Sequence, residues 1–288
     1  MAEQPTLMIV HAHPDDEVIG TGGTLLRYRE EGVRTVLVTA TLGDEGEIVA
    51  EDLNTPENKA HLAEIRRVEL ARAVEILRIA DHELLGYRDS GMEGQESNAD
   101  PACFNMADPT EATGRLVRLV RQYRPQVLVS YNAHGGYGHP DHIACHRATV
   151  AAFAAAADAA QYPEYGPAHR ALKLYEIASP RELWLEAFAA MKEMGMPTLL
   201  DRPDFPIEKF TVPLADVTTA IDVMRYSEAK MVALRVHRTQ IREDSWFYSM
   251  PEDLAARSFG REHYTLRTSH VALPPHDGAE GDLFAGIL

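Results

Sequence analysis

His11-Ala-His-Pro-Asp-Asp-Glu17 follows an apolar run, residues 7–10, that reads as the first β-strand. Metal-ligand side chains therefore sit where a strand gives way to a helix. Far along the chain, Gly138-His-Pro-Asp-His142 follows a second such run, Val127, Leu128 and Val129. In each turn a proline follows the first histidine, Pro14 after His13 and Pro140 after His139. Proline fixes its own φ and biases the preceding residue toward extended backbone, which suits a strand-to-helix switch. Residues three apart in such a turn share one side. His13 and Asp16 are thus expected to face one ion while Asp15 projects elsewhere, and His142 supplies a third ligand. Positions left open for water and substrate separate a catalytic zinc site from a closed structural one. Two histidines and a carboxylate also suit ferrous iron, with zinc the choice for hydrolysis. A lone His-x-x-Asp is common, but two strand-end turns of this kind point to one metal site.

Working outward, strand and helix signals alternate. Residues 35–39, 83–85, 126–130 and 172–177 read as strands, and residues 17–31, 59–77, 116–123 and 143–157 as helices. Leu62, Ile65, Leu70, Ala73, Val74 and Leu77 carry the spacing of one buried helical face. Alternation of this kind implies right-handed crossovers and a parallel sheet, with ligands at the carboxyl ends of strands. Beyond these, residues 183–194 read as a helix and residues 196–207, with three prolines, as a connecting loop. Residues 217–223 read as a strand leading into a helix that ends near His237. The tail after Leu273 is expected to be extended. No linker, repeat or low-complexity block divides the chain, so one domain spanning residues 1–288 is expected.

Composition narrows the class. With 288 residues, 45% of them hydrophobic, the chain can bury one large α/β core or two smaller ones. Its 28 Lys plus Arg against 44 Asp plus Glu leave a net charge of −16, which disfavours nucleic acid and anionic membranes as partners. The first residues lack a basic region followed by a long apolar segment, so no signal peptide is expected. No apolar stretch reaches the length of a membrane span. Cys103 and Cys145 form no C-x-x-C pair, which argues against a disulfide framework or thiolate zinc and suits a reducing cytoplasm.

The first turn and Gly136-Tyr-Gly-His-Pro-Asp-His142 resemble the two signatures of the LmbE/PIG-L family of metal-dependent N-acetylglucosaminyl deacetylases. Further similarity, to the branch containing the mycothiol-pathway deacetylase and the mycothiol S-conjugate amidase, lies in Thr41-Leu-Gly-Asp-Glu-Gly-Glu-Ile48, Arg88-Asp-Ser-Gly-Met92, His237-Arg-Thr-Gln240 and Asp282-Leu-Phe-Ala-Gly286. The resemblance touches most of the chain. It implies an α/β, Rossmann-like, mostly parallel sheet flanked by helices, with a C-terminal elaboration.

By this resemblance His13, Asp16 and His142 hold zinc, Asp15 is the general base, and His139 is an acid or oxyanion stabiliser. The chemistry agrees. Amide hydrolysis needs a nucleophilic water, whose pKa zinc lowers from 15.7 to about 7, and Asp15 stands beside the ligands without being one. A cationic His139 would stabilise the negative oxygen of the tetrahedral carbon, and Asp15 or His139 would protonate the departing amine. Asp141 is expected to orient an imidazole, and Tyr137, in a glycine-flanked turn, to reach the reacting oxygen. Glu47, Arg66 and Asp89 match sugar- or inositol-contacting positions. His134 departs from the family pattern and reads as a solvated loop residue.

These readings lead to a zinc-dependent hydrolase acting on the N-acetyl amide of a GlcNAc-containing small molecule, with S-conjugate amidase activity as the alternative. A Ser-His-Asp hydrolase does not fit, because Ser90 lacks a nucleophile-elbow sequence. Gly20-x-Gly-Gly does not complete a dinucleotide fingerprint. A non-catalytic metal- or carbohydrate-binding protein stands as an alternative of another class, against which Asp15 beside the ligands argues, because a mere binding site needs no base.

Overall fold

The computed structural model describes residues 4–250, 252–275 and 278–288. Strand β1, Thr6–His11, is buried along its whole length, as an apolar run does in a sheet covered on both faces. Leu7 and Ile9 join one core cluster and Met8 and Val10 the other, the period-two alternation of a strand. The first layer holds the helices Asp16–Glu30, Leu62–Ile76 and Ser227–Leu234. Helices Pro109–Tyr123 and Pro140–Ala155 cover the opposite face.

The other strands are β2 (Arg34–Thr41), β3 (Asp81–Tyr87), β4 (Val127–Ser130), β5 (Lys173–Ala178), β6 (Thr219–Asp222) and β7 (Arg261–Ser269). Among the described residues they form one sheet in the order β3-β2-β1-β4-β5-β7-β6. Strands β1 to β5 run parallel. The chain leaves β1 toward β2 on one side, while β4 lies on its other side, so the connections diverge between the carboxyl ends of β1 and β4. That is the switch point where open α/β sheets form their crevice.

Four elements depart from the sequence-based expectation. The helix expected over residues 59–77 is broken at His61, which separates Pro56–Ala60 from Leu62–Ile76. The helix expected at residues 116–123 begins at Pro109, where Asp108 accepts from the backbone N–H groups of Thr110 and Glu111; its polar first turn hid an ordinary Asp-Pro start. Strand β7, for which no expectation was made, inserts antiparallel between β5 and β6. The tail does not simply run extended: Leu283 and Phe284 are buried, and the Leu283 N–H donates to the Tyr28 hydroxyl at 2.6 Å. Residues 1–3, 251 and 276–277 lie outside the described residues.

The C-terminal elaboration has its own apolar cluster, with Phe188, Met191, Ile207, Met250 and Leu254 at its centre. Among the described residues no helix is long and apolar enough to cross a membrane.

Candidate active site

Both histidine turns stand at the switch point. His13 Nδ1 lies 3.5 Å from Asp16 Oδ2, His142 Nε2 lies 3.5 Å from the same oxygen, and the two ring nitrogens are 3.3 Å apart. Ligand atoms bonded at about 2.0–2.2 Å to a tetrahedral ion are separated by roughly 3.3–3.6 Å. The three atoms thus fit one ion.

Proton positions support the fit. His142 Nδ1 is 3.1 Å from the Gly135 carbonyl, which can only accept, so that nitrogen carries the hydrogen and Nε2 presents its lone pair. His13 Nε2 faces Asp141 Oδ2 at 3.2 Å and Asp89 Oδ1 at 3.5 Å, which leaves Nδ1 as its lone-pair nitrogen. Two inward lone pairs beside a carboxylate are a donor set for a cation. Two further groupings, His13 with His139 and His142 and His13 with Asp89 and Asp141, also bring ligand atoms within 4.8 Å of one another. The closer spacing and the tautomers favour Asp16 over His139 as the third donor.

Around these atoms the side chains are locked. Asp141 Oδ2 accepts from Ser90 N at 3.0 Å, and Ser90 Oγ donates to Asp141 Oδ1. Tyr131, which follows β4, donates to Asp16 Oδ2 at 2.8 Å and stacks on His142 at 4.1 Å between centroids. Neither Ser90 nor Tyr131 was singled out for this from the sequence, since strand-end position was the only signal. Gly135 is required here. Its φ is +68°, and a Cβ would lie 2.8 Å from His142 Cβ.

Asp15 is the N-cap residue of the first helix, yet its carboxylate makes no capping bond. Its backbone sits at φ 111°, ψ −32°. Burial pushes its pKa up to about 7, against the opposing Arg66 charge. Asp16 moves the other way: burial would raise it, but His142 and His13 hold it well below the usual carboxylate range. Burial also works against a charged His13, and the surrounding Asp141, Asp16 and Asp89 carboxylates outweigh it, so its pKa is raised and Nδ1 presents its lone pair only where a cation displaces the second proton. His142 is lowered to about 4, chiefly by burial.

His139 differs from its expected cationic state. Its Nδ1 accepts from the Asp141 backbone N–H at 3.1 Å, and burial, with His13 and His142 nearby, lowers its pKa to about 4. The ring is neutral and offers an Nε2–H. Tyr137 stacks on Phe210 with centroids 5.6 Å apart, and its edge meets His142 at 4.9 Å.

The three residues matched to sugar contacts separate. Glu47 is exposed, on the loop that follows β2. Arg66 is buried and donates to the Pro14 and Gly43 carbonyls at 2.6 and 2.9 Å, with Asp15 Oδ2 at 3.5 Å. Gly43 permits this approach, since a Cβ there would lie 1.9 Å from Arg66 Nη1. Asp89 is buried as well, accepting from Gly91 N at 2.8 Å and Glu45 N at 3.2 Å while facing His13. The Arg66 Nη atoms and the Asp89 carboxylate thus serve the groups around Asp15 and His13, while Arg66 Nε is buried with no partner among the described residues. His134 is exposed.

Comparison with known proteins agrees with this geometry. The family model PIG-L, GlcNAc-PI de-N-acetylase, matches residues 8–153, which contain both turns. The 1D-myo-inositol 2-acetamido-2-deoxy-alpha-D-glucopyranoside deacetylase of Thermomonospora curvata is 41% identical over 293 residues, covering 98% of this chain and 96% of its own. Its counterpart from Acidothermus cellulolyticus is 42% identical over 289 residues, covering 98% and 95%. Among solved structures, N,N'-diacetylchitobiose deacetylase from Pyrococcus horikoshii matches with a TM-score of 0.64 at 20% identity, over 92% of this chain and 84% of that one. GalB, the 4-carboxy-2-hydroxymuconate hydratase of Pseudomonas putida KT2440, matches with a TM-score of 0.61 at 16% identity, over 95% and 100%. A deacetylase and a hydratase on one fold show that the fold alone does not choose the chemistry. The matched sequence, carrying both turns and extending to near full length in the relatives, does: the chain belongs to the PIG-L family of GlcNAc-PI de-N-acetylases and is an enzyme that acts on amides.

Proposed function

We propose that the chain is a zinc-dependent deacetylase that cleaves the N-acetyl amide of a GlcNAc-inositol conjugate or a close analogue. One observation carries the reading: Asp15, its carboxyl uncommitted to capping and its pKa raised to about 7, stands beside a donor set that fits one ion. His13, Asp16 and His142 would hold the metal, and ferrous iron fits the same donors. When bound, zinc supplies Lewis acidity and brings the pKa of water near 7.

Asp15 takes the proton of the attacking water, and a base with a pKa near the working pH is the effective one. The neutral His139 donates its Nε2–H to the carbonyl oxygen as charge gathers there. Tyr137 brings a hydroxyl to the same region. Asp15 then returns the proton to the departing nitrogen, which closes the balance of acetate and free amine. Asp141 fixes the His13 tautomer, and the Ser90 contacts fix Asp141.

The substrate assignment rests on the names of the curated relatives and on Glu47, whose exposed carboxylate can accept from sugar hydroxyls. Arg66 and Asp89 act through Asp15 and His13. Both cysteines are free and buried, which fits a cytoplasmic enzyme.

Amine release from the GlcNAc-inositol conjugate, measured with and without chelator and after adding back zinc or ferrous iron, tests the reading. Chelation abolishes activity and zinc restores it. Preference for an acyl-cysteinyl conjugate would make the enzyme an S-conjugate amidase, and metal binding without turnover of either substrate would make it a binding protein.

A further inference from the structure

Glu17 closes the first turn and takes no part in the proton transfers assigned to Asp15 and His139. It is fully buried, as is His237. His237 Nε2 lies 2.8 Å from Glu17 Oε1, and Glu17 Oε2 accepts the Asp15 backbone N–H at 2.9 Å. The other ring nitrogen, His237 Nδ1, is buried with no partner among the described residues, so the ring's directional contact goes to Glu17.

Asp15 sits where this hold matters. A φ of 111° lies outside the small left-handed basin that non-glycine residues can enter, and such conformations persist only when the surroundings over-determine them. On the carbonyl side, Asp15 O accepts from Val18 N and Ile19 N at 3.0 and 3.1 Å. On the amide side, Arg66 grips the Pro14 carbonyl of the same peptide at 2.6 Å, and Glu17 is the partner of the Asp15 N–H.

His237 is itself anchored. Thr239 donates from its N–H and hydroxyl to the Glu69 carboxylate at 2.9 and 2.6 Å, and Glu69 lies on the helix that carries Arg66. The Thr239 carbonyl accepts Val49 N at 2.9 Å, and Gln240 Nε2 donates to the Glu47 carbonyl at 2.9 Å. Segment 237–240 thus joins the first turn to the loop carrying Glu47.

We propose that Glu17 and His237 are positioning residues for Asp15: Glu17 holds the Asp15 N–H and His237 holds Glu17, so that the backbone at Asp15, and with it the direction of its carboxylate, stays fixed. The proposal rests on the deacetylase reading of Asp15. It gives a distant segment of the chain control over the base.

The test uses the full-length, zinc-loaded protein and the GlcNAc-inositol conjugate. Glu17→Ala lowers kcat by roughly ten- to hundredfold, the scale of a misplaced catalytic group. KM changes by no more than about twofold, as for an interaction made in the transition state, and zinc content by elemental analysis is unchanged. On an Asp15→Ala background the same substitution has no further effect, because residues acting through one group are not additive. Glu17→Gln, which keeps an acceptor for the Asp15 N–H, recovers most of the loss. In the crystal structure of Glu17→Ala, Asp15 leaves its positive φ. Should Glu17→Ala fail to fold, His237→Ala is read by the same measurements.

A full-sized loss on the Asp15→Ala background, a fall in zinc content, or an Asp15 φ unchanged from wild type overturns the proposal. The φ comparison needs no substrate. If the wild-type enzyme releases no amine the deacetylase reading fails, and the crystal structures still decide the positioning.

Discussion

The two histidine turns are written alike and built differently. In the second, positive φ is absorbed by Gly135, Gly136 and Gly138, and His139 caps its helix by accepting the Asp141 N–H. In the first, the positive φ falls on Asp15, a residue with a side chain, and that side chain is withheld from capping. Where the chain needs only to bend, glycine suffices at no steric cost. Where it must also present a carboxylate, the turn carries strain and distant residues hold it.

The largest expected effect separates the turns by chemistry. Asp15→Ala lowers kcat by about 10²–10⁴ while metal content stays at the wild-type level; elemental analysis showing lost metal would make Asp15 a ligand and erase the contrast. Ser90→Ala is smaller. It strips Asp141 of its hydroxyl partner and loosens the His13 tautomer, so zinc affinity falls by about 10–100-fold in a competition titration, and unchanged affinity would show that Asp141 needs no such support.

Gly135→Ala probes the second turn as a bend. The new Cβ meets His142 Cβ and the Ile143 backbone nitrogen at 2.8 and 2.9 Å, so stability drops by about 1–3 kcal/mol in urea unfolding. Asp15→Gly probes the first in the opposite sense. Relief of the strained φ and of the buried carboxyl raises stability by about 1 kcal/mol with activity lost. A lower urea midpoint would mean that the first turn is not strained.

The last expectation concerns pH. His139 and His142 are held neutral in the folded chain with pKa values of about 4, below the ordinary value of about 6.5. Each therefore contributes stability that is complete above about pH 6.5 and lost as pH falls toward 4. His139→Gln should flatten that part of the stability–pH curve of the metal-free protein. An unchanged slope would place the His139 proton elsewhere.

Much of this was legible from residue order. The strand-end turns, the alternation of strands and helices and the parallel sheet follow from apolar periodicity and proline placement, which are local properties. Strand β7 was illegible because Arg261-Glu-His-Tyr-Thr-Leu-Arg-Thr-Ser269 reads as polar surface. Its Glu262 is buried against Lys230 at 2.6 Å, and Tyr264 is buried beside Thr24, partners that only folding supplies. Resemblance placed Arg66 and Asp89 at a sugar, while the structure turns them inward. The same polar side chains can serve a ligand or a backbone, and sequence does not say which.

By itself, then, the sequence determined the donor types, their spacing within each turn and the class of sheet that would present them, since these follow from covalent order and side-chain period. Tertiary structure alone decided that turns some 125 residues apart meet within 3.3 Å, that His139 is neutral, and that the Asp15 amide is held by a carboxylate bound in turn to His237. Burial and hydrogen-bond partners set proton positions and backbone strain, and both depend on neighbours the chain acquires only on folding.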